Sequence, residues 1–383
     1  VTVRADDSTA LGKIKPAAKA RTKTVIPVFR MAGTISEKPV PEDMPFSFGG
    51  ATGESLKSLL SRLEKAGNDK SVPAIVLQLN NPILGRAQLE ELTRKLSALK
   101  QAGKNIHVHT DLFTTGQFAL IAHATEVSMV PTGYMFITGL YGEQVFLRGL
   151  LDRIGVTPDY FTCGDYKSAG EMFMRTAPSD EAAQMSRWLY DGIYENLLAT
   201  IARGRNVSAE KAKGWFDEGV FTAERAIEKG IIDVVEHHHE FEARLKDQYG
   251  DDLKFDRKYG KTSAGQIDLS TPFGIMNFYA ELLSPSTSRR STKPAVGIVY
   301  LDGAIIPGSS GGNPFLADAA AFADTIRKAL DEAADDDAIK AVVFRVNSPG
   351  GSAVASEVIL NATKRVAAKK PFIVSMGNVA ASG

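Results

Sequence analysis

Near the end of the chain a serine, Ser382, sits in the run Ala380-Ala381-Ser382-Gly383, after an apolar, β-branched segment. A serine among small residues has two readings. It is a helix cap or packing residue, or it is a nucleophile at a strand end, where the N-terminus of a following helix stabilises negative charge. Upstream, Ser348-Pro349-Gly350-Gly351-Ser352 follows another apolar run. Adjacent glycines adopt backbone conformations closed to other residues and allow close approach. They form either a plain turn or a source of N–H donors for a developing oxyanion. A serine nucleophile needs a base. The six histidines are His107, His109, His123 and His237 to His239, none in a recognisable triad context. His107 and His109 alternate along a strand and read as packing residues. Three consecutive histidines cannot all face one way, so His237–His239 reads as a solvated segment end rather than a metal cluster. The base therefore need not be histidine.

The elements that position these residues recur twice. Residues 74–82, AIVLQLNNP, match residues 341–349, AVVFRVNSP, at an offset of 267. The same offset pairs Leu59 with Ile326, Leu63 with Leu330 and Glu90 with Glu357. Val28–Ile35, with Gly33, resembles Val299–Ile306, with Gly303. Ile106–Val108 corresponds to Phe372–Val374. Each copy predicts strand, helix, strand, helix, strand: strands at Val25–Phe29, Ala74–Leu79 and Ile106–Thr110, and at Val296–Leu301, Ala341–Val346 and Phe372–Met376. The second helix of each copy is expected over Leu89–Leu99 and Val354–Ala368. Near-continuous apolar strands alternating with helices imply an α/β fold with mostly parallel sheets buried between helical layers. The serine and the double glycine occur only in the second copy. The first has Asn81-Pro82-Ile83-Leu84-Gly85 and Asp111-Leu112-Phe113-Thr114-Thr115-Gly116 in their places.

Between the copies a mostly helical region is expected. Met185, Trp188, Leu189, Ile193, Leu197 and Ile201 form one apolar face, with Ser179 as N-cap and Gly204 as stop. Further helices are expected at Ser208–Phe216 and Ala223–Lys229. The Ser-, Thr-, Arg- and Pro-rich stretch 284–294 reads as a linker. The division is thus a first copy at 20–145, a helical region at 146–283, the linker at 284–294 and a second copy at 295–383.

Composition narrows the function. Of 383 residues, 45 are Lys or Arg and 45 are Asp or Glu, a net charge of zero that argues against a general nucleic-acid or anionic-membrane binder. The single cysteine, Cys163, excludes an internal disulfide and a Cys-based zinc site. No run approaches 18 consecutive apolar residues, so no helix is expected to span a membrane. Val1 in place of Met sets the expectation of a processed or trimmed chain.

Taken together, Ser348–Ser352, Ala380–Gly383 and Gly164-Asp165-Tyr166-Lys167-Ser168-Ala169 resemble the signal peptide peptidase A family in its long tandem form, protease IV. Thr222–Ala226 followed by Gly230–Asp233 adds a looser likeness. The resemblance runs from about Val25 to the chain end. It implies tandem copies of the fold shared with the caseinolytic protease subunit and the crotonases. It implies a Ser–Lys peptidase with Ser382 as nucleophile and Lys167 as general base, and no cofactor or metal. It further implies signal peptides or other membrane-associated peptides as substrates, a ring-like homo-oligomer, and a location on the periplasmic or extracytoplasmic side of the inner membrane. The backbone N–H groups of Gly351 and Gly383 are the candidate oxyanion donors. Long-form members continue beyond the serine, so the chain is expected to be truncated there, with Ser382 on a frayed end.

Physical chemistry is compatible with a lysine base. Burial disfavours the charged form of lysine and lowers its pKa, and a desolvated lysine beside a serine accepts its proton. Tyr166, Ala169, Gly170, Met172 and Phe173 around Lys167 permit such burial. Two rival readings share the fold: a crotonase-type acyl-CoA enzyme, which would use carboxylates for acid–base work, and a non-catalytic scaffold.

Overall fold

The computed structural model describes residues 24–39, 54–261, 293–309 and 320–382. Gly383 and most of the expected linker lie outside the described residues.

In the first copy, strand β1 (Val25–Thr34), helix α1 (Leu56–Asn68), β2 (Ala74–Ile83), α2 (Arg86–Gln101) and β3 (Asn105–Thr114) follow the expected order. Ser55 caps α1 by accepting the Ser58 N–H, and Leu56, Leu59, Leu63 and Ala66 turn its buried stripe onto the sheet. After α3 (Thr115–Ile121) comes β4 (Glu126–Phe136). The short α4 (Arg148–Arg153) and α5 (Glu171–Met174) then precede the long α6 (Asp180–Arg205). Next come α7 (Ala209–Glu218), β5 (Val220–Thr222), α8 (Ala223–Lys229), β6 (Val234–Val235), α9 (His238–Tyr249) and β7 (Lys254–Asp256). The seven-stranded sheet runs β5-β4-β3-β2-β1-β7, with β6 beside β4. Only β5 is antiparallel to its neighbour. One face buries Phe29, Ile75, Leu77, Ile106 and Val108 under α1, α2, α3 and α6. The other buries Ile26, Val28 and Val76 under Phe241 and Leu245 of α9. Residues beyond 146 thus complete the first sheet and cover its second face.

The second copy has β8 (Ala295–Asp302), β9 (Ile305–Ile306), β10 (Ala321–Phe322), α10 (Ala323–Asp335), β11 (Ile339–Ser348), α11 (Ala353–Lys369) and β12 (Phe372–Ala380). Its three-stranded parallel sheet has the order β12-β11-β8. The repeat is structural. Phe29 pairs with Leu77 as Val299 pairs with Phe344, and Gly33 and Gly303 both have positive φ, at 60° and 92°. Leu63 and Leu330 are both fully buried.

Two expectations in the helical region need correction. Ser179 caps α6 through Ala182 N–H, but the helix runs through Gly204 and ends on Asn206 in the left-handed conformation. A Cβ at Gly204 would lie 2.7 Å from the Ala122 carbonyl carbon, so that glycine serves close helix packing rather than termination. The apolar stripe of α6 is also only half covered. Leu197 and Ile201 are buried, whereas Trp188 is 80% exposed and Leu189 56%. Periodicity predicts an apolar face but not where the covering layer stops. The third expected helix has the bounds found, Ala223–Lys229.

Candidate active site

The copies meet where α2 of the first packs on β12 of the second. Arg345 and Asn378 of the second copy hold the junction. Arg345 on β11 pairs with Glu37 at 3.1 Å and with Glu91 of α2 at 2.8 Å, and donates to Ser375 Oγ at 2.9 Å. Arg345 and Glu37 are 11% and 4% exposed, so this is a largely desolvated ion pair. Burial pushes the Glu37 carboxyl above its ordinary value, against the opposing pull of the Arg345 guanidinium. Further along β12, Asn378 Oδ1 accepts N–H bonds from Ala87 and Gln88 in the first turn of α2.

The double glycine is a place of close backbone approach. Gly350 and Gly351 have φ of 93° and 157°. A Cβ on Gly350 would overlap the Ser382 carbonyl, and one on Gly351 would overlap the Ile305 backbone. Ser348 Oγ accepts the Gly350 N–H at 3.0 Å and donates to Gly303 O at 2.7 Å, closing the turn from inside. Ser352 caps α11 through Ala355 N–H. Ala381 N–H donates to Ser348 O at 3.0 Å, and Gly351 N–H to Ser382 O at 3.1 Å. Ser382 therefore rests directly on this turn. The same bond engages the Gly351 N–H, so that donor reaches an oxyanion only if the Ser382 carbonyl turns away. Gly383, the other expected donor, is outside the described residues.

Lys167 comes to the serine from the first copy. Its segment is tied to α6 by Tyr166 Oη donating to Gln184 Oε1 at 3.0 Å. Glu171 adds a second tie by accepting from the Ser179 N–H and hydroxyl, and these bonds hold its carboxyl below the usual range. Lys167 Nζ lies 3.4 Å from Ser382 Oγ, across 215 residues of sequence. The burial that the residues around this lysine permit is not realised among the described residues. Asp159 to Lys167 are exposed throughout, because this segment runs over the surface without apolar cover. A groove of about 1100 Å³ between α2, α6 and β12 borders the junction, lined by Leu89, Trp188, Leu189, Ile193, Met376 and Asn378.

The histidines stand apart from this pair. His107 and His109 are buried on β3, as expected. His109 Nδ1 meets Ser128 Oγ at 2.8 Å, its ring stacks on Phe241, and burial lowers its pKa. His237 to His239 are exposed at the start of α9. Sequence reasoning passed over Asn378, Arg345 and Glu37. None carries a local signal, since each partner in the other copy lies hundreds of residues away.

Comparison with known proteins bears on the same region. Residues 98–250, which include Lys167, match the model of "Peptidase family S49". The chain is 32% identical over 324 residues to "Protease 4" of Haemophilus influenzae, covering 84% of this chain and 51% of that protein. It is 29% identical to "Protease 4" of Salmonella typhi, with 92% and 56% covered. It is 27% identical to "Serine protease SPPA, chloroplastic" of Arabidopsis thaliana, with 87% and 47% covered. The chain spans about half the length of these relatives. The region that carries Lys167 thus matches peptidase family S49, and most of the chain is similar to proteins named Protease 4 and SPPA.

Proposed function

We propose that the protein containing this chain is a serine endopeptidase working through a Ser382–Lys167 dyad. The observation that carries the reading is the 3.4 Å approach of Lys167 Nζ to Ser382 Oγ. Two residues from different copies meet there, the serine seated on a glycine turn that only its own copy has. Neutral Lys167 takes the Ser382 hydroxyl proton as Oγ attacks the scissile carbonyl carbon. The tetrahedral intermediate collapses by breaking the C–N bond, and Lys167 passes the proton to the leaving amine. Water then attacks the acyl-enzyme ester, again with Lys167 as base, and frees Ser382. Gly351 N–H, released from Ser382 O, and Gly383 N–H are the proposed donors to the oxyanion.

The exposure of Lys167 gives substrate a second task. A peptide laid over the pair displaces water, and a site without water favours the uncharged form of an amine. The groove walled by Trp188, Leu189 and Met376 suits apolar side chains beside the bond to be cut. This agrees with the resemblance, which gives signal peptides and other membrane-associated peptides as substrates, a homo-oligomer, and a membrane-associated location on the extracytoplasmic side. Among the described residues no helix is long and apolar enough to cross a membrane. Ser382→Ala in the full-length protein removes one oxygen and is expected to abolish peptide hydrolysis and fluorophosphonate labelling with the circular dichroism unchanged. Hydrolysis at the parental rate would overturn the assignment.

A further inference from the structure

We infer that Asn378 is a positioning residue, which sets the separation of Ser382 and Lys167 by capping a helix of the other copy. The inference rests on the dyad reading above. The 16-residue α2 starts after Gly85, an N-cap residue with no side chain to accept from the first turn. The first N–H groups of a helix have no partner within it. Gly85 N–H is satisfied by Gln88 Oε1 at 3.0 Å. Ala87 and Gln88 N–H instead donate to Asn378 Oδ1, at 3.0 and 3.4 Å. The cap is thus supplied from the second copy, about 290 residues away in sequence. Space for it exists because position 85 is glycine: a Cβ there would overlap the Asn378 carboxamide.

Asn378 is itself held from behind. Its N–H and that of Val379 donate to Asn347 Oδ1 at 3.1 and 3.3 Å. Asn347 Nδ2 donates to Asp302 Oδ1 at 2.7 Å. A polar relay therefore crosses the second sheet from β8 through β11 to β12 and ends on the backbone at 378. Four residues on, Ser382 O accepts from Gly351 N–H at 3.1 Å. These bonds fix Ser382 within its own copy. Its distance from Lys167 depends on how the two copies sit against each other. The Arg345 pairs with Glu37 and Glu91 hold the junction by charge, and Asn378 holds it nearer in sequence to the serine, by directed hydrogen bonds. The equivalent position on β3 is Leu112, which makes no such cap.

The test uses the full-length protein and a chromogenic peptide. Asn378→Leu keeps the side-chain size and removes the acceptor. A shift of about 1 Å between reacting groups costs on the order of 100-fold in rate, so kcat is expected to fall about 100-fold with KM little changed and the fold intact. Asn378→Asp retains an acceptor that the α2 dipole favours and should keep most of the rate. Gly85→Ala expels the carboxamide and should lower kcat similarly. Combined with Asn378→Leu it should cost nothing further, because both changes remove one contact. Parental kcat in Asn378→Leu, or losses that multiply in the double variant, would overturn the inference. Amide exchange separates its failure from that of the dyad reading. Asn378→Leu should speed exchange at Ala87 and Gln88 whether or not Ser382 is the nucleophile, and unchanged exchange there would remove the cap itself.

Discussion

Replacing Arg345 with methionine tests the ion pair that joins the copies. Met matches the length of the arginine stem and removes its charge. Glu37, 4% exposed, would then be buried without a counter-charge, whereas Glu91, 30% exposed, can rehydrate. Breaking one side of a buried pair costs about 3–5 kcal/mol. With one of the two carboxylates able to reach water, the lower end applies, about 3 kcal/mol at pH 7.5. With a urea m-value of about 3 kcal/mol/M, the midpoint falls by about 1 M. The pH dependence has a definite sign. The Glu37 pKa is raised from its ordinary 4.5 by burial, so the folded state binds this proton more tightly than the unfolded state. Ionised Glu37 is therefore a cost that grows as pH rises through the interval between 4.5 and its raised value. Arg345 opposes that cost, and removing it pushes the Glu37 pKa higher still. The penalty of Arg345→Met should be largest at pH 7.5 and shrink as pH falls and Glu37 takes up a proton. Glu37→Gln added to Arg345→Met should restore most of the loss at pH 7.5. Urea unfolding followed by circular dichroism at pH 7.5 and at falling pH measures this. A penalty below about 1 kcal/mol at pH 7.5, the range of an exposed pair, or one that does not change as pH falls, would refute the reasoning.

Lys167→Arg should be folded and inactive, because guanidinium stays protonated over the accessible pH range; a chromogenic-peptide rate near the parental one would remove Lys167 from the mechanism. Leu63→Ala and Leu330→Ala, at equivalent buried positions of the two copies, should each cost about 2–5 kcal/mol in urea unfolding, and a change below 1 kcal/mol at either would argue against close packing there. His109 is held below its ordinary pKa of 6.5 by burial, so it stays neutral in the folded chain while the unfolded chain protonates, and stability is lost as pH falls below that value. His109→Phe, stacking on Phe241 in its place, should flatten the stability profile between pH 7 and pH 5, and an unchanged slope would rule His109 out as its source. Glu171, held below its ordinary 4.5 by the Ser179 hydroxyl and N–H, supports the Lys167 segment above that pH and releases it as pH falls through the lowered value. Glu171→Gln should therefore speed proteolytic nicking near Lys167 at neutral pH, and equal rates would dismiss the tie.

The tandem α/β order was legible because it is written in neighbouring residues. Apolar runs such as Ala74–Leu79 and Ala341–Val346, and the i, i+4 spacing of Leu59 and Leu63, specify strands and helices locally. An offset of 267 residues then reveals that the plan occurs twice. The Ser179 cap and the Ala223–Lys229 helix were legible for the same reason. Of the candidate site, Ser382 and the double glycine stood out because one copy has them and the other does not, and Lys167 entered by resemblance alone. Tertiary structure decided the rest. Gly204 reads as a stop until Ala122 is seen against it, and the α6 stripe reads as a core face until its first half is found uncovered. Whether Lys167 is enclosed depends on what packs over it, and no pattern around residue 167 encodes that. Asn378, Arg345 and Glu37 look like ordinary polar residues in the chain, because their partners in the other copy are hundreds of residues away. Periodicity records which side of an element is apolar. It does not record which surface of the other copy will meet that element, and that docking is what brings a lysine and a serine 215 residues apart to within 3.4 Å.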